Sequence, residues 1–161
     1  MKKGFWFLGL MLMSFLVLSC EEDDVCVGEG TPFLTVVFRN NLGTENFKDS
    51  ITIWGANNAD FSDETLVLPK TFTDSIKLPL GGLEHQVTYF RIQRRSNVQS
   101  DILQVNYHPK SEYVSKACGF RIVYENLNFQ STNYFIENIT PGSTNNLDNE
   151  TFTNLYISLS F

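Results

Sequence analysis

Leu155-Tyr156-Ile157-Ser158-Leu159-Ser160-Phe161 puts an apolar side chain at every odd position and Tyr or Ser at every even one. In an extended chain successive side chains point to opposite faces, so this period of two gives one face for a core and one for water. The same pattern recurs upstream. Leu34, Val36 and Phe38 alternate with Thr35, Val37 and Arg39. Ile51 and Ile53 alternate with Thr52 and Trp54, and Ile76, Leu78 and Leu80 with Ser75, Lys77 and Pro79. Phe90 and Ile92 oppose Tyr89, Arg91 and Gln93; Leu103, Val105 and Tyr107 oppose Gln104 and Asn106. Phe120, Ile122 and Tyr124 repeat the phase, and a further strand is expected near Tyr134–Ile139.

Turn-forming residues separate these runs: Asn40-Asn41-Leu42-Gly43, Asn57-Asn58-Ala59-Asp60, Gly81-Gly82, Ser96-Asn97 and Thr140-Pro141-Gly142-Ser143. Beyond the first twenty residues, no segment sustains the 3.6-residue apolar period of a helix. The spacing predicts an all-β fold: a single β-sandwich of seven to nine strands, of Ig-like or Greek-key type, over residues 33–161. Pro79 cannot donate a ladder hydrogen bond, so its strand is expected at an edge or bulged. The segment from Ser143 to Glu150 reads as a long exposed loop.

Residues 1–19 have a different character. Met1-Lys2-Lys3 is followed by an apolar run from Gly4 to Leu18, and Val17-Leu18-Ser19-Cys20 closes it. Two cations, a short apolar core and a small residue before a cysteine read as a bacterial lipoprotein signal peptide. The run falls short of the roughly 20 residues that span a bilayer. Cleavage before Cys20 and acylation of its thiol predict a lipid-anchored chain, with residues 20–32 as an acidic tether. The membrane, reached through the lipid on Cys20, is the first expected partner.

Of the 12 basic residues, Lys2 and Lys3 leave with the leader, so 10 stand against 18 acids and the formal charge moves from −6 to −8. Four acids, Glu21, Glu22, Asp23 and Asp24, cluster beside the lipidation site. With no basic stripe, nucleic acid is excluded as an expected partner. No polybasic membrane-binding patch is visible either.

With Cys20 assigned to lipid, Cys26 and Cys118 remain: either a disulfide in a compartment that permits one, or two reduced, buried thiols. A bond would close a loop of about 93 residues and contribute roughly 4–5 kcal/mol in the chain-entropy account. Neither cysteine has a nearby His or a Cys-x-x-Cys partner, which argues against a catalytic thiol.

The matching stretches Cys20-Glu-Glu-Asp-Asp-Val-Cys26, Thr31-Pro32, Ile53-Trp54-Gly55, Asp74-Ser75-Ile76-Lys77-Leu78-Pro79-Leu80 and Glu112-Tyr113-Val114-Ser115-Lys116-Ala117-Cys118-Gly119-Phe120 span most of the chain after the leader. On these the chain resembles an uncharacterised family of small Bacteroidota-type lipoproteins carrying a domain of unknown function. The resemblance implies an all-β protein of the cell envelope, favours the Cys26–Cys118 pairing, and supplies no activity. It also implies a partner, because genes of such proteins often neighbour one for an outer-membrane β-barrel. In the same lineage, acids such as Glu21, Glu22, Asp23 and Asp24 after the lipidated cysteine look like an export signal to the cell surface. The expected location is therefore the outer membrane, at the cell surface or on the periplasmic leaflet.

Candidate chemistry is sparse. His85 and His108 each lie beside a turn without a ligand at metal spacing, and no Gly-x-Ser-x-Gly, Ser-x-x-Lys or His-Glu-x-x-His motif occurs. Asp60, Asp63 and Glu64 put three carboxylates in one loop, but lack the glycine and spacing of an EF-hand. No cofactor, metal or catalytic residue is expected. Trp54, Tyr89, Tyr107 and Tyr156 are candidates for a carbohydrate platform, although a sandwich also fills its core with aromatics. Asp49-Ser50-Ile51 and Asp74-Ser75-Ile76 resemble the lineage's O-glycosylation acceptor at Ser50 and Ser75. Asn138 and Asn149 head N-glycosylation triplets for which the eukaryotic machinery is not expected. The expected function is a non-catalytic outer-membrane lipoprotein, a binding or structural accessory subunit for an envelope partner such as a β-barrel. The alternative is a surface glycan-binding lipoprotein using aromatics around Trp54.

Overall fold

The computed structural model describes Cys26, residues 30–95 and residues 99–160. The leader, Cys20, Glu21, Glu22, Asp23, Asp24, the Ser96-Asn97 turn and Phe161 lie outside the described residues. Nine strands follow one another among those described, with no helix: β1 (Leu34–Arg39), β2 (Asp49–Ala56), β3 (Thr65–Thr73), β4 (Ser75–Leu78), β5 (Val87–Arg94), β6 (Ser100–Ser115), β7 (Gly119–Ser131), β8 (Ile136–Pro141) and β9 (Leu155–Leu159). They form two sheets, β4-β1-β9-β8 and β3-β2-β5-β6-β7. The fold is the all-β sandwich that the alternation predicts, at the upper end of the expected strand count.

One residue set from each sheet meets in the core. Leu34, Val36, Phe38, Ile51, Ile53, Phe90, Ile92, Leu103, Val105, Leu155 and Ile157 have no exposed surface. Full burial of each such side chain contributes about 1.5–3 kcal/mol, so the alternating residues supply much of the driving force. β1 pairs with β4 antiparallel and with β9 parallel, which places the first and last strands side by side at the centre of the smaller sheet. Asn154 fastens this join: its side-chain carbonyl accepts the Thr35 N–H at 2.9 Å, and its own N–H donates to the Thr35 carbonyl at 2.9 Å.

Three local expectations change, while the edge position expected for the Pro79 strand holds. β3 has no counterpart in the alternation. Its Leu66, Val67 and Leu68 are consecutive, Pro69 and Lys70 follow, and its pairing with β2 slips twice, between Ile51 and Ile53 and between Ile53 and Trp54. It is an edge strand, where proline is tolerated and no period is imposed. Pro79 lies just past β4, which is itself an edge strand.

Phe120 keeps the phase of Ile122 and Tyr124, yet it is 71% exposed while Tyr124 is buried. The β6–β7 hairpin is long, and beyond Tyr124 its side chains grade from half-buried to exposed, outside the core that covers Tyr124. Finally, the Ser143–Glu150 segment is not simply exposed. Leu147 is fully buried and exchanges two backbone hydrogen bonds with Tyr124, at 2.7 and 3.0 Å. The loop is thereby stitched to β7.

A buried carboxylate sets the turn between β7 and β8. Asp101 has no exposed surface, and its two oxygens accept the Thr132 hydroxyl at 2.6 Å and the N–H groups of Tyr134, Phe135 and Ile136 at 2.8–2.9 Å. Four donors satisfy the charge without a cation.

Candidate functional site

Two surface regions gather the residues singled out in the sequence. The first is the tip of the β6–β7 hairpin. Cys118 lies in its turn and is disulfide-bonded to Cys26, with Cα atoms 4.8 Å apart. The turn is built locally: Ser115 Oγ accepts the Cys118 N–H at 3.1 Å, and Gly119 takes φ +71°, a left-handed conformation suited to glycine. Thr31 Oγ1 accepts the Ile122 N–H at 3.0 Å, so the segment leading into β1 also lies on β7. Glu150 Oε1 accepts the Phe33 N–H at 3.0 Å, and the same carboxylate pairs with Lys77. Near the turn, Tyr113 and Phe120 face each other across the ladder, edge to face with centroids 5.4 Å apart. Behind them Arg121 pairs with Glu112 at 2.7 Å and Lys110 with Glu125 at 3.2 Å.

The second region is the outer face of the larger sheet. Directly paired residues of antiparallel strands share a face. Leu66, Trp54, Arg91 and Ile102 therefore line up across β3, β2, β5 and β6, and Tyr89, Gln104 and Gln130 across β5, β6 and β7. The Arg91 guanidinium lies 4.0 Å from the Trp54 ring centroid and forks onto Glu64 with hydrogen bonds of 2.8 and 3.1 Å. One face of the half-buried indole is thus occupied. Tyr89 receives Phe61 edge-on at 6.3 Å. Beside it, a shallow groove of about 290 Å³ is lined by Ala59, Tyr89, Ile102, Gln104, Gln130 and Thr132.

The other two candidate aromatics do not join this face. Tyr107 is buried; its hydroxyl accepts the Gly81 N–H at 2.9 Å and shares a hydrogen with Thr88 at 2.8 Å. It follows Leu103 and Val105 in phase, and therefore packs in the core. Tyr156 is half-buried on β9, in the opposite sheet, under the Arg39 guanidinium at 3.5 Å.

The remaining candidates have local occupations. Asp60 accepts the Ser62 N–H at 3.1 Å and its hydroxyl at 2.9 Å; Asp63 accepts the N–H groups of Asn57 and Asn58 at 3.1 and 3.3 Å. The backbone N–H of Ser62 holds the Asp60 carboxyl below its usual range, and that of Asn57 does the same for Asp63. With Glu64 on Arg91, each acid of the loop serves a turn or an ion pair. Among the described residues no His, Cys, Asp and Glu cluster could hold a metal ion.

His85 and His108 come to the same end of the β5–β6 ladder, since the Tyr107 N–H donates to the Gln86 carbonyl at 3.0 Å. His85 lies 3.4 Å from Glu84, and His108 is exposed opposite Glu125. Neither imidazole has a hydroxyl hydrogen-bond partner among the described residues. Ser50 is half-buried beside Asp49, which is locked to Arg94 and Arg95. Ser75 is exposed on β4 and donates to Asp74 at 3.2 Å. Of the two acceptor-like serines, Ser75 is the accessible one.

The sequence missed Arg91, Glu64, Gln104 and Gln130 as neighbours of Trp54 and Tyr89, and it placed Phe120 in the core. Cross-strand neighbours depend on register, for which β3 and β5 carry no local signal.

Residues 50–159 match a family described as a family of unknown function, DUF6452. No curated protein and no solved structure matches the chain.

Proposed function

The chain belongs to that family of unknown function, DUF6452, and we propose that it acts as a lipid-anchored, non-catalytic binding or structural subunit of the outer membrane. The observation that carries this reading is the Cys26–Cys118 disulfide. It ties the sandwich to a point six residues from Cys20, so a lipid on that thiol would hold the domain close to a bilayer. Six residues reach at most about 22 Å when fully extended. Confinement of that kind raises the effective concentration for a partner in the same membrane. A partner such as an outer-membrane β-barrel fits it, with the acids Glu21 to Asp24 directing the leaflet. Among the described residues neither histidine has a hydroxyl hydrogen-bond partner, and the acids of the Asp60–Glu64 loop are engaged locally.

The test is a tagged pull-down from mildly solubilised membranes, with Cys20→Ala as control. Co-purification of an outer-membrane barrel, lost in the control, supports the accessory-subunit reading. Recovery of the protein alone from both overturns it.

A second reading has an observation of its own. Tyr89, Gln104 and Gln130 present an aromatic ring and two amides along one groove, the chemistry that packs on and hydrogen-bonds to a sugar. This moves the carbohydrate site from Trp54, one face of which Arg91 occupies, to Tyr89. Binding of the soluble domain on a glycan array, abolished by Tyr89→Ala, would favour this version.

A further inference from the structure

We infer that the β6–β7 hairpin tip makes a second contact with the lipid surface, through Tyr113 and Phe120. The inference rests on the proposed lipidation of Cys20. Two large aromatic side chains stand 58% and 71% exposed on one face of the hairpin. Among the described residues their rings pack edge to face against each other, which leaves their outer surfaces exposed. Two adjacent exposed aromatic rings form an apolar patch that marks a candidate interaction surface.

Covalent distance identifies that surface. Phe120 is two residues from Cys118, and Cys118 is bonded to Cys26 with Cα atoms 4.8 Å apart. Cys26 lies six positions after Cys20, with five residues between them. The Cys118 Cα therefore lies within about 26 Å of the Cys20 Cα even with the tether fully extended. A tether of that length lets the aromatic pair reach the headgroup layer, where aromatic rings are favoured.

Among the described residues of the hairpin tip, Lys110 and Arg121 pair with Glu125 and Glu112, and Lys116 is the remaining charge. The charged pairs Glu112–Arg121 and Lys110–Glu125 are already formed, so approach to a lipid surface leaves no carboxylate of these pairs unmatched. Lys116 is exposed in the turn itself and suits an anionic headgroup. The tip would act as a foot, fixing how the sandwich stands on the membrane and which sheet faces outward.

The experiment uses the lipidated chain with Trp54→Phe, so that one introduced tryptophan reports. Phe120→Trp is compared with Phe72→Trp, another exposed aromatic, on the edge strand β3. Both are reconstituted into phosphatidylethanolamine–phosphatidylglycerol vesicles, with and without brominated acyl chains. Quenching and a blue shift for Phe120→Trp, several-fold stronger than for Phe72→Trp, is the expected result. Equal quenching at both positions, or none, with the protein floating on the vesicles, overturns the inference and leaves the anchor standing. Failure to float, or flotation unchanged by Cys20→Ala, overturns the anchor and the inference with it. Should the substituted chain misfold, hydroxyl-radical footprinting of the unmodified protein serves. Tyr113 and Phe120 are then expected to be protected on protein-free vesicles. Protection only in native membranes would assign the pair to a protein partner instead and overturn the lipid contact.

Discussion

Tyr107 and Tyr124 meet edge to face in the core with ring centroids 5.1 Å apart, and both hydroxyls reach the same turn. Tyr107 accepts the Gly81 N–H, and Tyr124 donates to the Gly81 carbonyl at 3.1 Å. The pair thereby ties the β4–β5 connection to the centre of the long hairpin. Gly81 is needed for the fit: a Cβ there would lie 2.7 Å from the Tyr107 oxygen and 2.8 Å from His85 Cβ. The β6–β7 hairpin and the middle of the sandwich are in this way one mechanical unit.

Burial pushes the Tyr124 hydroxyl up to about 12, with the neighbouring Tyr107 adding to the shift, and burial likewise raises Tyr107. The folded state holds both protons more tightly than the unfolded chain, whose tyrosines titrate near 10.0. Their contribution is therefore complete below pH 10 and is lost as pH rises toward 12. Alkaline unfolding, followed by circular dichroism together with tyrosinate absorbance, is expected in that window. Tyr124→Phe should weaken the alkaline dependence, at a cost of about 1 kcal/mol near neutrality for the lost bond to Gly81.

At the acid end the controlling group is Asp49, which is buried and bonded to Arg94 and Arg95. Burial pushes its carboxyl up, but hydrogen bonds from Arg94, the Ser50 N–H and Arg95 outweigh this and leave it below the usual value. A depressed folded value gives stability that is present above the unfolded value of 3.8 and is lost as pH falls through the folded one. Arg94 also donates to the Ser160 carbonyl, so the pair holds the end of the last strand. Asp49→Ala leaves the Arg94 charge buried and should cost about 3–5 kcal/mol in urea unfolding. The double change Asp49→Leu with Arg94→Met should recover most of that. Equal destabilisation by the single and double variants would refute the account.

Much of this architecture is legible in local sequence, because burial of one strand face imposes a period of two. Leu103, Val105 and Tyr107 are in phase and all buried, and the core placement of Tyr107 follows from its phase. Phase does not say where the facing sheet ends. Phe120 shares the phase of Tyr124 and is exposed because it lies beyond that end. β3 is invisible because an edge strand with two register slips needs no alternation. The contact of Arg91 with Trp54 is a matter of register between β2 and β5, and nothing in either segment alone encodes it. Asp101 was hidden for another reason: its four partners follow it by more than thirty residues.

Asp101→Asn tests that buried acid. An amide turns one acceptor into a donor facing N–H groups, so buried donors lose partners at about 1–3 kcal/mol each. A loss of at least about 3 kcal/mol is expected in urea unfolding. Thr132→Val, which removes one donor and leaves three, should cost about 1 kcal/mol. A smaller loss for Asp101→Asn than for Thr132→Val would contradict the four-donor arrangement.

Reduction of Cys26–Cys118 releases a loop of sequence separation 92. The chain-entropy account then predicts a loss of about 4–5 kcal/mol. Denaturation with and without reductant, and of Cys118→Ser, should give the same midpoint shift. A shift under reductant that is absent in Cys118→Ser would show that the loss comes from reagent effects and not from the crosslink.

Trp54 is the single tryptophan after residue 20, so its fluorescence reports on the outer face of the larger sheet alone. The Arg91 guanidinium covers one side of the indole, and Glu64 holds that guanidinium in place. Arg91→Ala removes the cover and should shift Trp54 emission to the red and increase quenching by iodide. Stability should fall by only about 1 kcal/mol, because cation–π contacts at accessible sites are worth about 0.5–1 kcal/mol. Glu64→Gln should give a weaker change in the same direction, since the fork loosens but the cation remains. Tyr89→Ala lies one row along the sheet and should leave the spectrum nearly unchanged. If Tyr89→Ala moves the emission as far as Arg91→Ala does, the aromatic groove and the Trp54 stack are coupled, and a ligand in the groove could be read directly from Trp54.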